Sequence, residues 1–357
     1  MALQISDLPL PVRDLLFDGT VIPAHPLALN AAREFDPGRQ RALTRYYIDA
    51  GSGGLAVGVH ATQFEIRDVG LYEPVLECAM ETATDWEPLG GARPLIMIAG
   101  LAGGTAQVVE EAKTAVSIGY HAGLLSLAAM KGSSDDELIA HCEAVAAEIP
   151  LVGFYLQPAV GGIHLSVDFW RRFAQIENVI GVKTAPFNRY RTLDVIRGVV
   201  EAGAEGRVAV YTGNDDHIVL DLLEPFTSLR DGEEVRVRIR GGLLGHWSVW
   251  TKKAVEQLGR IHAAVDNALI DADLLALNSK ITDCNRAVFD VENDFAGCIP
   301  GCHEILRRQG LLEGTWCLNP DEILSPGQSG ELDRVQEGYP EMNDDDFVAE
   351  NLSRWLV

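Results

Sequence analysis

Val179-Ile-Gly-Val-Lys-Thr-Ala-Pro186 is a run of small and apolar residues carrying one lysine and closed by a proline. A short apolar run without polar alternation, ended by a turn former, reads as a strand covered on both faces. The pattern recurs on either side. Apolar runs begin near Thr20, Gly54, Arg93, Ala122, Leu151, Val179, Val208 and Gly241, with starts 34, 39, 29, 29, 28, 29 and 33 residues apart. Amphipathic stretches over 68–84, 105–118, 134–147, 166–176 and 192–202 carry apolar residues at three- and four-residue spacing. Ser134-Asp-Asp-Glu137 is a capping box, and Ser166 stands before Val-Asp-Phe-Trp as a helix start. Eight strand–helix units in about 250 residues predict an α/β protein of the (β/α)8 barrel type rather than an open doubly wound sheet. The barrel is expected over 13–265, a helical part over 266–316 and an acidic tail over 317–357. That tail holds ten acidic residues against Arg334 and Arg354 and reads as a solvated segment packed loosely on the barrel.

Composition narrows the partners. The 357 residues are 47% hydrophobic and 23% charged, with a formal net charge of -23. A field of that sign opposes binding to nucleic acid or to an anionic membrane surface, yet leaves a small anionic substrate open to a local pocket. The six cysteines (78, 142, 284, 298, 302 and 317) form no CxxC pair and read as reduced thiols of a cytoplasmic protein. The first residues lack the basic flank and apolar stretch of a signal peptide, and no run is long enough to span a membrane.

The lysine carries the chemistry. Only six lysines occur, and Lys113, Lys131, Lys252, Lys253 and Lys280 lie in polar or amphipathic segments. Lys183 instead falls at the end of a buried strand. A desolvated amine loses basicity, and its neutral form attacks a carbonyl to give a Schiff base. The plainer reading is a lysine that marks the strand's exposed end. Barrel enzymes carry their reacting groups at the carboxyl ends of the strands. Those ends here hold His25, His60, Gln157 with Tyr155, Lys183, Thr212 to Asn214, and His246. Strand alternation places Gly181 and Lys183 inward on strand six, with Ile180 and Val182 toward the helices. On strand five it is read as Gly153 and Tyr155 inward and Val152 and Phe154 outward, which brings Tyr155 to Lys183 as a proton carrier.

Gly153-Phe-Tyr-Leu-Gln-Pro158, Gly181-Val-Lys183 and Tyr211-Thr-Gly-Asn-Asp-Asp216 together resemble the dihydrodipicolinate synthase / N-acetylneuraminate lyase superfamily, over roughly residues 13–312. The resemblance implies a cofactor-free class I aldolase or hydro-lyase acting on a 2-oxo acid such as pyruvate, or on a sugar acid. It also implies a homotetramer built from dimers, or a dimer. Carried over, Lys183 is the imine former and Tyr155 the proton shuttle, with Gly213 and Asn214 on the substrate. Departures bear on the substrate. Val59-His-Ala-Thr-Gln63 stands where the family has G-T-T-G-E, so His60 and Ala61 replace the threonine pair, with Thr62 next in line to the carboxylate. Leu127-Ala-Ala-Met130 lacks the tyrosine lent to a neighbouring subunit, and Val160 stands where the synthases have arginine. These changes argue against dihydrodipicolinate formation itself.

Two rival readings stay open. A barrel of this ancestry that binds an oxo acid or sugar acid without turnover is one. The other is a metal-dependent aldolase or hydrolase using His25, His60 and His246, although no carboxylate accompanies these histidines and no metal is expected. Cys298, Cys302 and His303 read as packing. Gly100-Leu-Ala-Gly-Gly-Thr105 lacks the Gly-Lys-Ser/Thr of a phosphate loop and reads as a tight turn. Arg189 and Arg191 read as a solvated loop or as cations over the pocket.

Overall fold

Every apolar run named above becomes, or ends in, a strand. The computed structural model describes residues 2–357. Its strands are β1 (Val21–Pro23), β2 (Gly54–Val57), β3 (Ile96–Ala102), β4 (Ala122–Ser126), β5 (Leu151–Leu156), β6 (Val179–Ala185), β7 (Ala209–Thr212), β8 (Pro225–Arg230) and β9 (Glu233–Leu244). The first helices are α1 (Leu10–Asp18), α2 (Pro37–Ala50), α3 (Tyr72–Asp85), α4 (Thr105–Ile118), α5 (Asp135–Ala146), α6 (Val167–Gln175) and α7 (Arg189–Glu201). The remainder are α8 (Ile218–Leu223), α9 (Thr251–Asp266), α10 (Ala272–Val288), α11 (Cys298–Arg308), α12 (Gln328–Gly338) and α13 (Asp345–Trp355). The alternation is that of a (β/α)8 barrel followed by C-terminal helices. None of the helices among the described residues is long and apolar enough to cross a membrane.

The chain divides into two compact units: the chain through Thr20 with Ile96–Leu243, and Val21–Leu95 with Leu244–Val357. In the first, β3, β4, β5, β6, β7 and β9 pair in that order, all parallel. Local chemistry sets the helix starts. The Ser134 hydroxyl accepts from the Glu137 N–H at 3.3 Å while Glu137 accepts from the Ser134 N–H at 2.8 Å, completing the expected capping box of α5. Ser166 accepts from the Phe169 N–H at 2.9 Å and starts α6, whose Phe169, Trp170 and Phe173 are buried aromatic neighbours.

A hairpin that the spacing of apolar runs does not predict precedes the eighth barrel strand. β8 pairs antiparallel with the first half of β9, Arg230 opposite Glu233 across an Asp231-Gly232 turn in which both residues have positive φ. Leu229 on β8 is 68% exposed, and Arg230 reaches back to the Val200 carbonyl and Glu205.

In the second unit β1 and β2 run parallel through an Ala24–Ala56 bridge. The segment 317–357 carries α12 and α13, the latter the last helix that Asn343 and Leu-Ser-Arg-Trp-Leu356 suggest; what is corrected is its loose packing, since Leu332, Val335, Val348 and Trp355 are buried. Asp49 on α2 holds the last helix. Its carboxylate accepts from the Trp355 indole at 2.7 Å, the Trp86 indole at 3.1 Å and the Leu89 N–H at 2.9 Å, and it pairs with Arg354. Asp344 is likewise taken up, by the Tyr46 hydroxyl at 2.8 Å, the Lys252 N–H at 3.0 Å and Gln309 at 2.8 Å. Acidity in this segment therefore serves partly as buried acceptors. Each such bond contributes about 1.5–3 kcal/mol where a charged group is involved.

Candidate active site

Lys183 lies on β6 with 8% of its surface exposed. Its Nζ stands 4.3 Å from the centre of the Phe154 ring. Burial lowers its pKa from 10.5 to about 8, against the opposing pull of the Asp215 carboxylate. At pH 7 roughly a tenth of such an amine is neutral, several hundred times more than for a solvated lysine. The side chain is confined as well as dried: a Cβ placed on Gly213 would fall 2.6 Å from Lys183 Cε and 2.8 Å from Ala185 Cβ. Gly213 is therefore the surface against which the lysine stem rests.

Strand five departs from the expected alternation. Register passes from Leu151 opposite Val179 to Val152 opposite Gly181, so Ile180 is one extra residue on β6. A one-residue slip exchanges the faces of every residue beyond it. Phe154 is consequently opposite Lys183, and Tyr155 is opposite Thr184. Gly153 and Tyr155 face α6 rather than inward. A Cβ on Gly153 would meet Phe173 at 2.7 Å, and the Tyr155 ring lies 5.4 Å from that of Trp170. The Tyr155 hydroxyl exchanges hydrogen bonds of 3.3 Å with the Leu165 carbonyl and N–H. Burial pushes its pKa up. The placement of Tyr155 beside the amine is thus corrected, and an aromatic ring without a hydroxyl stands there instead. Tyr155→Phe is expected to change turnover less than about threefold and to cost about 1 kcal/mol of stability. Steady-state kinetics with denaturant titration checks this, and a loss of 10²-fold or more in kcat would return the proton-carrier role to Tyr155.

Tyr211 shares the row of Lys183 on β7. Its hydroxyl donates to the Leu16 carbonyl at 2.9 Å and accepts from the Thr20 N–H at 3.2 Å, which ties it to the last turn of α1 and to the loop after it. Beyond Gly213, Asn214 is buried and its carbonyl oxygen accepts from the Phe187 N–H at 3.0 Å. Gln157 lies just past β5, where its carbonyl accepts from the Gly162 N–H at 3.0 Å. Arg189 pairs with Asp221, and Arg191 pairs with Asp194 at 2.9 Å, so both arginines have carboxylate partners within the first unit.

The remaining expected site residues belong to the second unit. His25 is buried and used up: one ring nitrogen lies 2.9 Å from the Pro26 carbonyl and from Gln40 Nε2, the other 2.8 Å from Thr44 Oγ1. Burial takes its pKa down to about 4, so it is neutral at pH 7. A substrate-binding part for His25 is therefore corrected to a core position. Thr62 Oγ1 accepts from the Gly58 and Val59 N–H groups at 2.9 and 3.2 Å and donates to the His25 carbonyl at 2.7 Å. It braces the turn after β2 rather than offering its hydroxyl outward. His60 and Ala61 are half-buried on that turn, with the His60 ring edge-on to Phe64 at 5.9 Å. His246 is buried after β9 with its pKa lowered to about 4. Among the described residues no three His, Cys, Asp or Glu side chains are grouped to hold a metal ion, and the six cysteines form no disulfide.

Sequence reading turned Phe154 outward, gave Asp215 no part of its own and missed Asp221. A signal existed for the last: Asp221 is the one charge within Ile-Val-Leu-Asp-Leu-Leu223, and a lone carboxylate on an apolar helix is bound to be paired.

Residues 18–225 match the dihydrodipicolinate synthetase family. The 4-hydroxy-tetrahydrodipicolinate synthase of Kosmotoga olearia is 30% identical over 129 residues, covering 36% of this chain and 43% of that protein. The chain spans about half the length of the curated relatives it matches. Two solved structures share the fold. Dihydrodipicolinate synthase from Acinetobacter baumannii, complexed with pyruvate, aligns at a TM-score of 0.72 with 21% identity, covering 89% of this chain and 98% of that one. N-acetylneuraminate lyase from Fusobacterium nucleatum aligns at 0.70 with 17% identity, covering 90% and 99%. With more than half its length matched and a buried lysine on β6, the chain belongs to the dihydrodipicolinate synthetase family.

Proposed function

We propose that this protein is a Schiff-base lyase, an aldolase or hydro-lyase, acting on a 2-oxo acid such as pyruvate or on its aldol adduct through an imine on Lys183. The burial of that one amine carries the reading. Its neutral Nζ adds to the C2 carbonyl, and the carbinolamine takes up one proton and loses water to leave a protonated imine. For an aldol adduct, the C3–C4 bonding pair then moves into the imine. The C4 hydroxyl gives up its proton and an aldehyde departs, leaving an enamine that is protonated at C3 and hydrolysed. Pyruvate bound in the Acinetobacter enzyme supports the substrate class. His60 and Ala61 in place of a threonine pair, and Val160 in place of an arginine, favour a substrate other than that of dihydrodipicolinate formation. The family likeness extends the proposal to a cytoplasmic assembly of dimers.

The test is reductive trapping. Borohydride with pyruvate should leave on Lys183 an adduct of pyruvate less water plus two hydrogens, read by peptide mass spectrometry. Because only the neutral amine attacks, the trapping rate should rise with pH and level off above a midpoint near 8. A panel of 2-oxo acids giving no adduct at any pH would sink the imine reading. Two observations favour a second reading, a barrel that captures a 2-oxo acid without turning it over: Phe154 stands over the amine, and the Tyr155 hydroxyl is bound to Leu165. An adduct without release of an aldehyde or loss of water from any substrate supports that alternative.

A further inference from the structure

Asp221 carries its carboxylate on α8 with no exposed surface. One oxygen accepts from Thr212 Oγ1 at 2.6 Å and from Asn214 Nδ2 at 2.9 Å, while the other pairs with Arg189. Thr212 and Asn214 are the two residues flanking Gly213. The loop is fixed further: Thr212 Oγ1 accepts from the Asn214 N–H at 3.1 Å, the Gly213 N–H donates to the Thr184 carbonyl at 2.7 Å, and Asn214 Nδ2 also reaches Thr192 at 3.3 Å. A fully buried carboxylate is tolerated only when its acceptor sites are filled, and here they are filled by the residues on either side of the lysine's contact. A stem packed so closely against Gly213 follows any movement of that glycine.

We propose that Asp221 is a positioning residue that fixes the place of Lys183 by holding Thr212 and Asn214 on both sides of Gly213. Its use in catalysis rests on the imine reading above, but the placement of the lysine can be measured without it. Released from the clamp, the loop opens, water reaches the amine and its basicity returns toward that of a solvated lysine. The charged groups that bear on these two residues are Asp215 for Lys183, and Arg189 and Asp216 for Asp221.

The experiment is Asp221→Ala in the full chain, with two readouts. The first is the pH midpoint of Lys183 acetylation by acetic anhydride, followed by peptide mass spectrometry. The second is the rate of borohydride trapping with pyruvate. The midpoint should move up from near 8 toward about 10.5, and trapping at pH 7 should fall on the order of 10²-fold, the scale of a displacement of about 1 Å. Asp221→Asn, whose amide oxygen still accepts from the loop, should recover part of both. A folded Asp221→Ala protein with unchanged midpoint and unchanged trapping overturns the proposal, even if its thermal stability has dropped. If Asp221→Ala does not fold, Thr212→Val cuts the same link with little change of volume, and the same two outcomes decide. A wild-type protein that is acetylated with a midpoint near 8 but never trapped by pyruvate counts against the imine reading, while the midpoint shift in the variant still decides the positioning.

Discussion

Lys183→Met should leave no borohydride adduct with pyruvate or any other 2-oxo acid and should fold more tightly than the parent protein. Turnover should fall on the order of 10⁶-fold, as when a covalent nucleophile is removed from an enzyme. Methionine keeps most of the buried volume, so no large cavity opens. The stability change follows from the amine's own equilibrium. Below pH 8 the folded and unfolded chains both carry the proton, and the folded chain bears the whole cost of burying it. Between about 8 and 10.5 the folded chain has released the proton and the unfolded chain has not, so the cost fades as pH rises and is gone above 10.5. A depression of that size corresponds to about 3 kcal/mol. Loss of the contact with Phe154 offsets about 1 kcal/mol of the gain. Urea titrations at pH 7 and pH 10 check the argument. The variant should be stabilised by roughly 2 kcal/mol at the lower pH and by little at the higher. A variant less stable than the parent at pH 7 would mean that the amine is better solvated in the folded chain than its surroundings imply.

Gly213→Ala carries the second largest effect. The backbone there lies outside the left-handed region, so alanine meets no conformational obstacle. The obstacle is space: the added methyl would fall 2.6 Å from Lys183 Cε, 3.0 Å from its Cγ and 2.8 Å from Ala185 Cβ. A lysine stem is more yielding than a strand backbone, so the amine is what moves. A displacement of about 1 Å in a reacting group lowers the rate by about 10²-fold, and overpacking costs about 1–3 kcal/mol. Trapping rate and thermal unfolding should therefore both fall, the first far more steeply. Trapping at the parental rate would show that the methyl is accommodated elsewhere and that Gly213 does not bound the lysine.

These effects separate what could be read along the chain from what could not. The strands were legible because parallel strands covered on both sides have an apolar signature of their own, as in Val179–Ala185. The lysine was legible because a charge in that setting stands out. Which neighbour meets it was not, because Ile180 adds one residue to its strand and the flanking pair, Phe154 and Tyr155, are both aromatic. Composition offers no preference between them for either face. Pairing geometry decides, and it involves residues far apart in sequence. Histidines at strand ends misled for a related reason: His25 meets Gln40 and Thr44 one helix further on, contacts that no local pattern announces. The hairpin was legible in principle, since Glu234 to Arg240 alternates charged and β-branched residues behind Asp231-Gly232. Attention to unbroken apolar runs passed over it.

That hairpin bears on how the protein behaves when many copies are crowded together. β9 is the one strand partner of β8 among the described residues, which leaves β8 a sheet rim on its other side. An exposed leucine on such a rim invites a second chain to stack alongside, the first step toward fibrils. Arg230, Glu233, Glu234 and Arg236 around the turn act as gatekeepers, since a stacked copy would have to accommodate charges of both signs. Their neutralisation would be felt first in colloidal behaviour, as turbidity during concentration, while the chemistry of Lys183 stayed as it was.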